Sequence, residues 1–422
     1  MRGSSHAPAS GLCSQIMYPA CVRHRTTRTW TSDAGMTDVA RTNPLSWRLS
    51  VFYAAYFFAV GIYMPYWPIW LEGRTLDPVQ IGWILAASFW IKIVAQPAIA
   101  RIADWRGRTR RLTTVLMALA AIGFLAQSTT NSFWPLLILG GLTAGCYQPV
   151  LPIMEGVTLR HVETQRLDYG RIRLWGSIAF VAATTTAGLA IDRQGAGLVV
   201  WLMFAAMASV GLACAMAPER PPIMTAPISR PLTRQFLSPL FMVFLATSGL
   251  ISASHAVFYG FATLNWQTQG HSESTIGLFW AMGVVAEILL FALARRYRDK
   301  ISPPVLLGLA ALGGIVRWPL LAVVEDAVLL LALQSLHGFT FGAGHLGAMT
   351  FLSKEIPPEH SATGQSLYYA LVGGVLAGGM FPLAGLLYAR LGENAYLVMG
   401  VMSCAALISA MILAKLNSRP HP

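Results

Sequence analysis

An all-α membrane protein, with twelve transmembrane helices in two six-helix bundles, is the fold class that three features of the sequence predict. The chain of 422 residues is 55% hydrophobic and only 11% charged, with mean hydropathy +0.55, whereas about a quarter of the residues of a soluble domain are charged. Apolar runs of about 20 residues, the length that crosses a bilayer as a helix, recur along the chain between short polar or basic turns. A Pro-rich basic stretch, PERPPIMTAPISRPLTR within 218–236, divides the runs six and six and reads as a linker between two bundles.

The runs lie at about 47–71, 79–101, 112–128, 133–159, 167–192, 195–217, 237–265, 273–295, 301–323, 327–352, 361–389 and 393–415. The domain plan follows: a polar, basic tail at 1–43, a first bundle at 44–217, the linker 218–236, a second bundle at 237–416 and a short tail at 417–422. The first tail lacks the apolar core of a signal peptide and is expected to be disordered, with Met36 an alternative start.

A net charge of +12 raises nucleic acid as a partner, but the basic residues sit in short loops between apolar runs. Arg101, Arg106, Arg108, Arg110, Arg111, Arg160, Arg166, Arg220, Arg230, Arg234, Arg295, Arg296, Arg298, Lys300 and Lys354 gather on one side, with only Arg74, Arg193 and Arg390 in the opposite loops. That bias follows the positive-inside rule and places both termini in the cytoplasm. The five cysteines show no metal or redox spacing. No HExxH or Ser–His–Asp pattern is visible, so an enzyme is not expected. Neither a metal nor an organic cofactor is expected.

The halves align weakly at an offset near 195. IGWILAASFW (81–90) falls on IGLFWAMGVV (276–285), Asp104 on Asp299, and Gly170 close to Gly364. Parallel six-helix repeats place a solute site at mid-membrane between them.

The stretch Glu155–Ser177, EGVTLRHVETQRLDYGRIRLWGS, carries the charges that such a site needs. Its turn holds the midpoint between Glu155 and Arg173, so in a helical hairpin the two lie at matching depth. Charges at membrane depth are costly and mark a pathway or a site. A structural ion pair is the plainer alternative. Arg171, about 200° round the helix from Arg173, cannot share its cavity and is expected to meet Asp168 or the interface.

Lys92 can either snorkel to the interface or serve the cavity. Glu287, with a shorter stem, is expected to titrate or to pair. His255, His337 and His345 are packing or site histidines, and HGFTFGAGH (337–345) sets His337 and His345 on one helix face. In the first run Trp70 is expected in an interfacial belt and Tyr63 in the cavity. Lys92, Arg173 and Arg317 outnumber Glu155 and Glu287 at mid-span, which favours an anionic solute, and Trp175, Phe258 and Tyr259 suit an aromatic ring.

RIADWRGRTRR (101–111) resembles the loop signature of the major facilitator superfamily, with Asp104, Gly107, Arg108 and Arg111 at its characteristic positions. YFFAVGIYMPYWPIWL (56–71), LDYGRIRLWGS (167–177), HAVFYGFATLNWQ (255–267), GVVAEILLFAL (283–293) and SLHGFTFGAGHLGAM (335–349) resemble the 3-phenylpropionate permease family. That resemblance implies proton-coupled uptake of a small aromatic carboxylate by alternating access across a bacterial inner membrane. It also implies a gating role for the loop Arg101–Arg111. A proton-coupled sugar or nucleoside importer is the alternative, and a monomer in the bilayer is expected.

A more distant similarity to lactose permeases implies substrate contacts for Glu155, Arg173 and Ser177, and a proton-coupling role for Arg317 and His337. Where those permeases have a coupling glutamate three residues past the histidine, this chain has Thr340. Glu287 is then the expected proton carrier on chemical grounds. Lys92, His255, Tyr63 and Trp175 complete the expected substrate set, and His345 the coupling set.

Overall fold

The computed structural model describes residues 44–219, 234–297, 301–357 and 360–418. The first tail, most of the linker and Asp299 lie outside the described residues. Helices begin where a polar side chain caps an apolar run. Asp77 starts α2 (Pro78–Arg106) with a reciprocal box: its carboxylate accepts the Gln80 N–H at 2.8 Å, and the Gln80 side chain accepts the Asp77 N–H at 3.2 Å. The helix stops at Gly107, whose φ of 62° only glycine adopts without strain, and α3 (Thr109–Gln127) follows. Asp168 caps α6 (Tyr169–Gln194), Ser238 caps α8 (Pro239–Ala253), and Asp326 caps α12 (Ala327–Gln334).

Four runs are interrupted rather than smooth, one of them by the π-wound segment Tyr369–Ala377. α4 (Phe133–Tyr147) and α5 (Val150–Gln165) meet at Pro149, which lacks an N–H. α8 gives way to α9 (Ala256–Thr268) at Ser254 and His255. α12 passes through the π-wound segment Gly338–Ala343 into α13 (Gly344–Glu355). Breaks of this kind are tolerated at membrane depth where neighbouring protein covers the freed backbone.

In the first half α1 (Pro44–Glu72) packs on α6 and α7 (Leu198–Met216), and α3 on α4 and α7. In the second half α11 (Pro303–Leu321) packs on α13 and α16 (Ala395–Asn417). Among the described residues eleven continuous stretches are long and apolar enough to cross a bilayer, against twelve runs in the sequence. The difference is the last stretch, Thr363–Asn417, of 55 residues. It turns at Gly392 (φ 57°) between α15 (Gly378–Leu391) and α16. Its two arms both pack on α8, the first through the π-wound segment Tyr369–Ala377.

The halves meet along two seams, α6 against α10 (Glu273–Tyr297) and α2 against α15. Gly82 and Gly277, the glycines of the repeated IG pair, sit at these seams, as do Gly188 and Gly385. A Cβ on Gly82 would overlap the Phe381 carbonyl oxygen, and one on Gly277 the Thr184 carbonyl oxygen. Backbone contact of this kind needs residues without side chains.

Polar groups fasten the same end. The Asp192 carboxylate accepts the N–H groups of Glu273 (2.7 Å) and Ser274 (3.0 Å), free donors at the start of α10. The Tyr66 hydroxyl donates to Thr184 C=O (2.6 Å) and reaches Glu273 C=O (3.1 Å). We predict that Asp192→Asn, which sets an amide N–H against one of these donors, loosens this end. Spin labels at Thr129 and Glu325, in exposed loops of the two halves, should report a wider population. An unchanged distance distribution would sink the idea.

Trp70 corrects one expectation. It is 2% exposed, stacked on Trp67 at 4.5 Å and covered by the Arg74 guanidinium. Stacking one helical turn away on Trp67, itself edge-on to Phe124 at 5.0 Å, draws it into the core instead of an interfacial belt.

Candidate functional site

Glu155 is buried in α5, and two phenols serve its carboxylate. Tyr53 donates to Oε2 at 2.6 Å, and Tyr169 donates to Oε1. Arg173, on α6, is elsewhere: its guanidinium lies 3.8 Å from the centre of the Phe57 ring and 5.6 Å from that of Tyr53. The ion pairs among the described residues are Arg110–Glu219 and Arg171–Asp168. The expected Glu155–Arg173 pair is therefore not formed. Two O–H donors already satisfy the acid, while two ring faces on α1 hold the cation. Tyr53 links the two, with its hydroxyl on Glu155 and its ring under Arg173.

Ser177 lies one turn beyond Arg173 and is half-buried. Trp175 does not join them. It is 54% exposed, on the outward face with Leu174 and Ile178, because two residues along a helix turn a side chain most of the way to the far side. Tyr63 stacks on Trp67 at 5.9 Å and meets Phe124 and Tyr147 edge-on, in the aromatic packing of the first half. Lys92 reaches across a seam. Its Nζ sits 4.3 Å from the Phe89 ring centre, and a Cβ on Gly373 of the other half would lie 3.7 Å from it.

In the second half Arg317 is fully buried. Nη1 donates to His337 Nδ1 (3.1 Å) and Thr340 Oγ1 (3.0 Å), and Nη2 donates to Gln334 Oε1 (2.8 Å). Its guanidinium carbon stands 4.3 Å from the Phe258 ring centre and 4.9 Å from that of Trp318. All three of its side-chain hydrogen-bond partners are neutral groups. His337 accepts from Arg317, so its Nδ1 carries no hydrogen there. His255 packs against Trp318, Tyr259 and His337. His337, Phe341 and His345 form one column of stacked rings, so Phe341 separates the two histidines. Glu287 lies beside Gly342 of the π-wound segment and within electrostatic range of Arg173, as does His345.

The loop of the signature runs through Arg101 and Asp104, both exposed, then Gly107, Arg108 and Arg111. The Arg110 N–H donates to Glu219 Oε1 at 3.0 Å, and His161 Nε2 lies 3.1 Å from Glu219 O. Glu219 thus ties the loop and the end of α5 to the chain entering the linker. The sequence reading missed Glu219, and it missed Tyr53, Tyr169, Gln334 and Asp192. The repeated IG pair was the one signal that marked the seams. Among the described residues no group of three His, Cys, Asp or Glu side chains could hold a metal.

Two helical halves joined at glycine seams, with charged groups buried between and within them, define a membrane transporter of small molecules. The chain belongs to the MFS_1-like family of the major facilitator superfamily, which matches residues 46–413. It is 30% identical over 368 residues to a protein of Escherichia coli (strain K12) described as a probable 3-phenylpropionic acid transporter, covering 85% of this chain and 95% of that one. A maltose permease of Geobacillus stearothermophilus is 26% identical over 374 residues, covering 86% and 93%. Among solved structures, the nucleoside transporter NupG superposes with TM-score 0.76 at 14% identity, over 89% of this chain and all of that one. A bacterial homologue of the human lysosomal transporter Spinster, inward-facing and unoccupied, gives 0.70 at 14% identity, over 90% and 98%. These relatives are transporters, and the chain is not an enzyme.

Proposed function

We propose that this protein takes up a small aromatic carboxylate together with protons, by alternating access across a bacterial inner membrane, with both termini in the cytoplasm. One observation carries the reading: Lys92, Arg173 and Arg317 rest on aromatic rings and are in no ion pair with a carboxylate among the described residues. A buried cation left without a counter-charge is costly, and an anionic solute supplies one. Aromatic faces around the same cations suit a ring attached to that anion. The E. coli relative described as a 3-phenylpropionic acid transporter supports the aromatic class.

Arg173 binds the carboxylate with two parallel donors, and Glu287 carries the proton. A proton on Glu287 removes a negative charge from the surroundings of Arg173 when the solute arrives. The halves then rock about this point, opening one end while the glycine seams hold the other. A sugar or nucleoside importer is the second reading, favoured by the buried acid Glu155 and by the maltose permease among the relatives. Uptake of labelled aromatic acids, sugars and nucleosides into proteoliposomes, with and without a pH gradient, decides between them. Accumulation of acids driven by an inward proton gradient is the expected result; gradient-driven uptake of sugars alone would reverse it.

The loop gives a further expectation. Asp104→Asn removes the charge that strengthens hydrogen bonds at the mouth of the bundle, and transport should fall sharply at normal membrane abundance. Wild-type rates in that variant would remove the loop from gating.

A further inference from the structure

We propose that Arg317 and His255 recognise a hydroxyl group on the aromatic ring of the solute, so that hydroxyaryl carboxylates are the preferred class. The inference rests on the aromatic-carboxylate reading above and adds a second point of recognition in the other half.

His255 Nδ1 lies 2.9 Å from the Ile251 carbonyl oxygen. A carbonyl can only accept, so Nδ1 carries the hydrogen and Nε2 of the neutral ring presents a lone pair. That Nε2 is buried and has no hydrogen-bond partner among the described residues. Arg317 Nε is likewise buried and unpartnered, while Nη1 and Nη2 are engaged by His337, Thr340 and Gln334. The two side chains are 0% and 2% exposed and share neighbours: Trp318 touches both, and His337 bonds one and packs on the other. Leaving such atoms unsatisfied is expensive.

The pair offers one donor, on Arg317, and one acceptor, on His255. A hydroxyl is the smallest group that answers both. A carboxylate has acceptors only and would face the His255 lone pair, and an ammonium would meet the Arg317 charge. A neutral carboxyl group also answers both, but the carboxylate of the solute is assigned to Arg173.

Aromatic walls fit a phenol ring. Phe258 and Trp318 flank Arg317, and Tyr259 stacks on both His255 and Trp280. The cage borders the helix that carries Glu287: a Cβ on Gly283 of α10 would lie 3.4 Å from the His337 ring. A solute lying between the halves would reach from this recognition point toward Arg173.

Calorimetry on the full-length protein in detergent tests this with 3-phenylpropionate, 3-(4-hydroxyphenyl)propionate, 3-(3-hydroxyphenyl)propionate, their methoxy analogues and phenol. The better hydroxylated acid should bind about ten- to a hundredfold tighter than 3-phenylpropionate, as a buried hydrogen-bonded hydroxyl implies. Its methoxy analogue, which keeps an acceptor and loses the donor, should fall back to the unsubstituted level. His255→Phe should weaken the hydroxylated acid alone and make the two acids equal. Equal binding of hydroxylated and unsubstituted acids by wild type overturns the inference and leaves the carboxylate reading standing. Retained preference in His255→Phe, or methoxy binding as tight as hydroxy, overturns it as well. Should that variant not fold, the methoxy comparison on wild type decides alone. Binding of phenol but of no acid would sustain the hydroxyl site and sink the carboxylate reading, and binding of none sinks both.

Discussion

Arg173→Lys is expected to weaken binding of an aromatic carboxylate about ten- to a hundredfold, the loss of one charge-assisted contact. The guanidinium carbon lies 3.8 Å from the centre of the Phe57 ring, and a guanidinium can offer two parallel donors to both oxygens of a carboxylate. A lysine ammonium keeps the charge and loses both the stacking and the fork. Glu155→Gln should behave differently. No ion pair is broken, because Tyr53 and Tyr169, not Arg173, hold that acid. Affinity for the anion should stay within a few-fold of wild type. A sugar importer would instead need Glu155 to accept solute hydroxyls, and the same change would destroy binding. Calorimetry on both variants therefore reads site and solute class together. Binding lost in Glu155→Gln and kept in Arg173→Lys would overturn the carboxylate assignment.

The contrast between these two residues shows what a sequence can and cannot say here. Depth was legible, since helical rise fixes how far Glu155 and Arg173 lie from their common turn. Partnership was not. It was decided by Tyr53 and Phe57 on α1, about a hundred residues earlier in the chain, and no local pattern announces that those rings face α5 and α6. The helices themselves were readable because apolar length and capping residues such as Asp77, Asp168 and Ser238 are local signals. The eight-residue spacing of His337 and His345 does set them on one face, in a single column with Phe341 stacked between them; that the segment Gly338–Ala343 is π-wound was not legible. The seams were half-visible. The IG pair repeated, which suggested matched roles for Gly82 and Gly277, but their contact with a carbonyl of the opposite half needed the fold.

Glu287→Gln carries the largest expected effect on transport: loss of all accumulation against a gradient, with exchange of solute across the membrane retained. Thr340 stands where a coupling acid would follow His337, and its hydroxyl is occupied by Arg317 at 3.0 Å. The acid must then come from another helix. Glu287 sits on α10 beside the π-wound segment, in a second half whose deep groups are otherwise cationic or neutral, and within electrostatic range of Arg173. In the proposed cycle an ionised Glu287 competes with the solute for Arg173, and protonation of Glu287 ends that competition. Binding of proton and of anion thereby favour each other, which is what symport requires. Glutamine mimics the protonated form permanently. The variant should bind the acid at least as tightly as wild type and exchange labelled for unlabelled acid, yet fail to concentrate it when the proteoliposome interior is made alkaline. If Glu287→Gln still concentrates the acid in response to that gradient, the proton travels on another group. His337, which accepts from Arg317 at 3.1 Å, is then the next residue to replace.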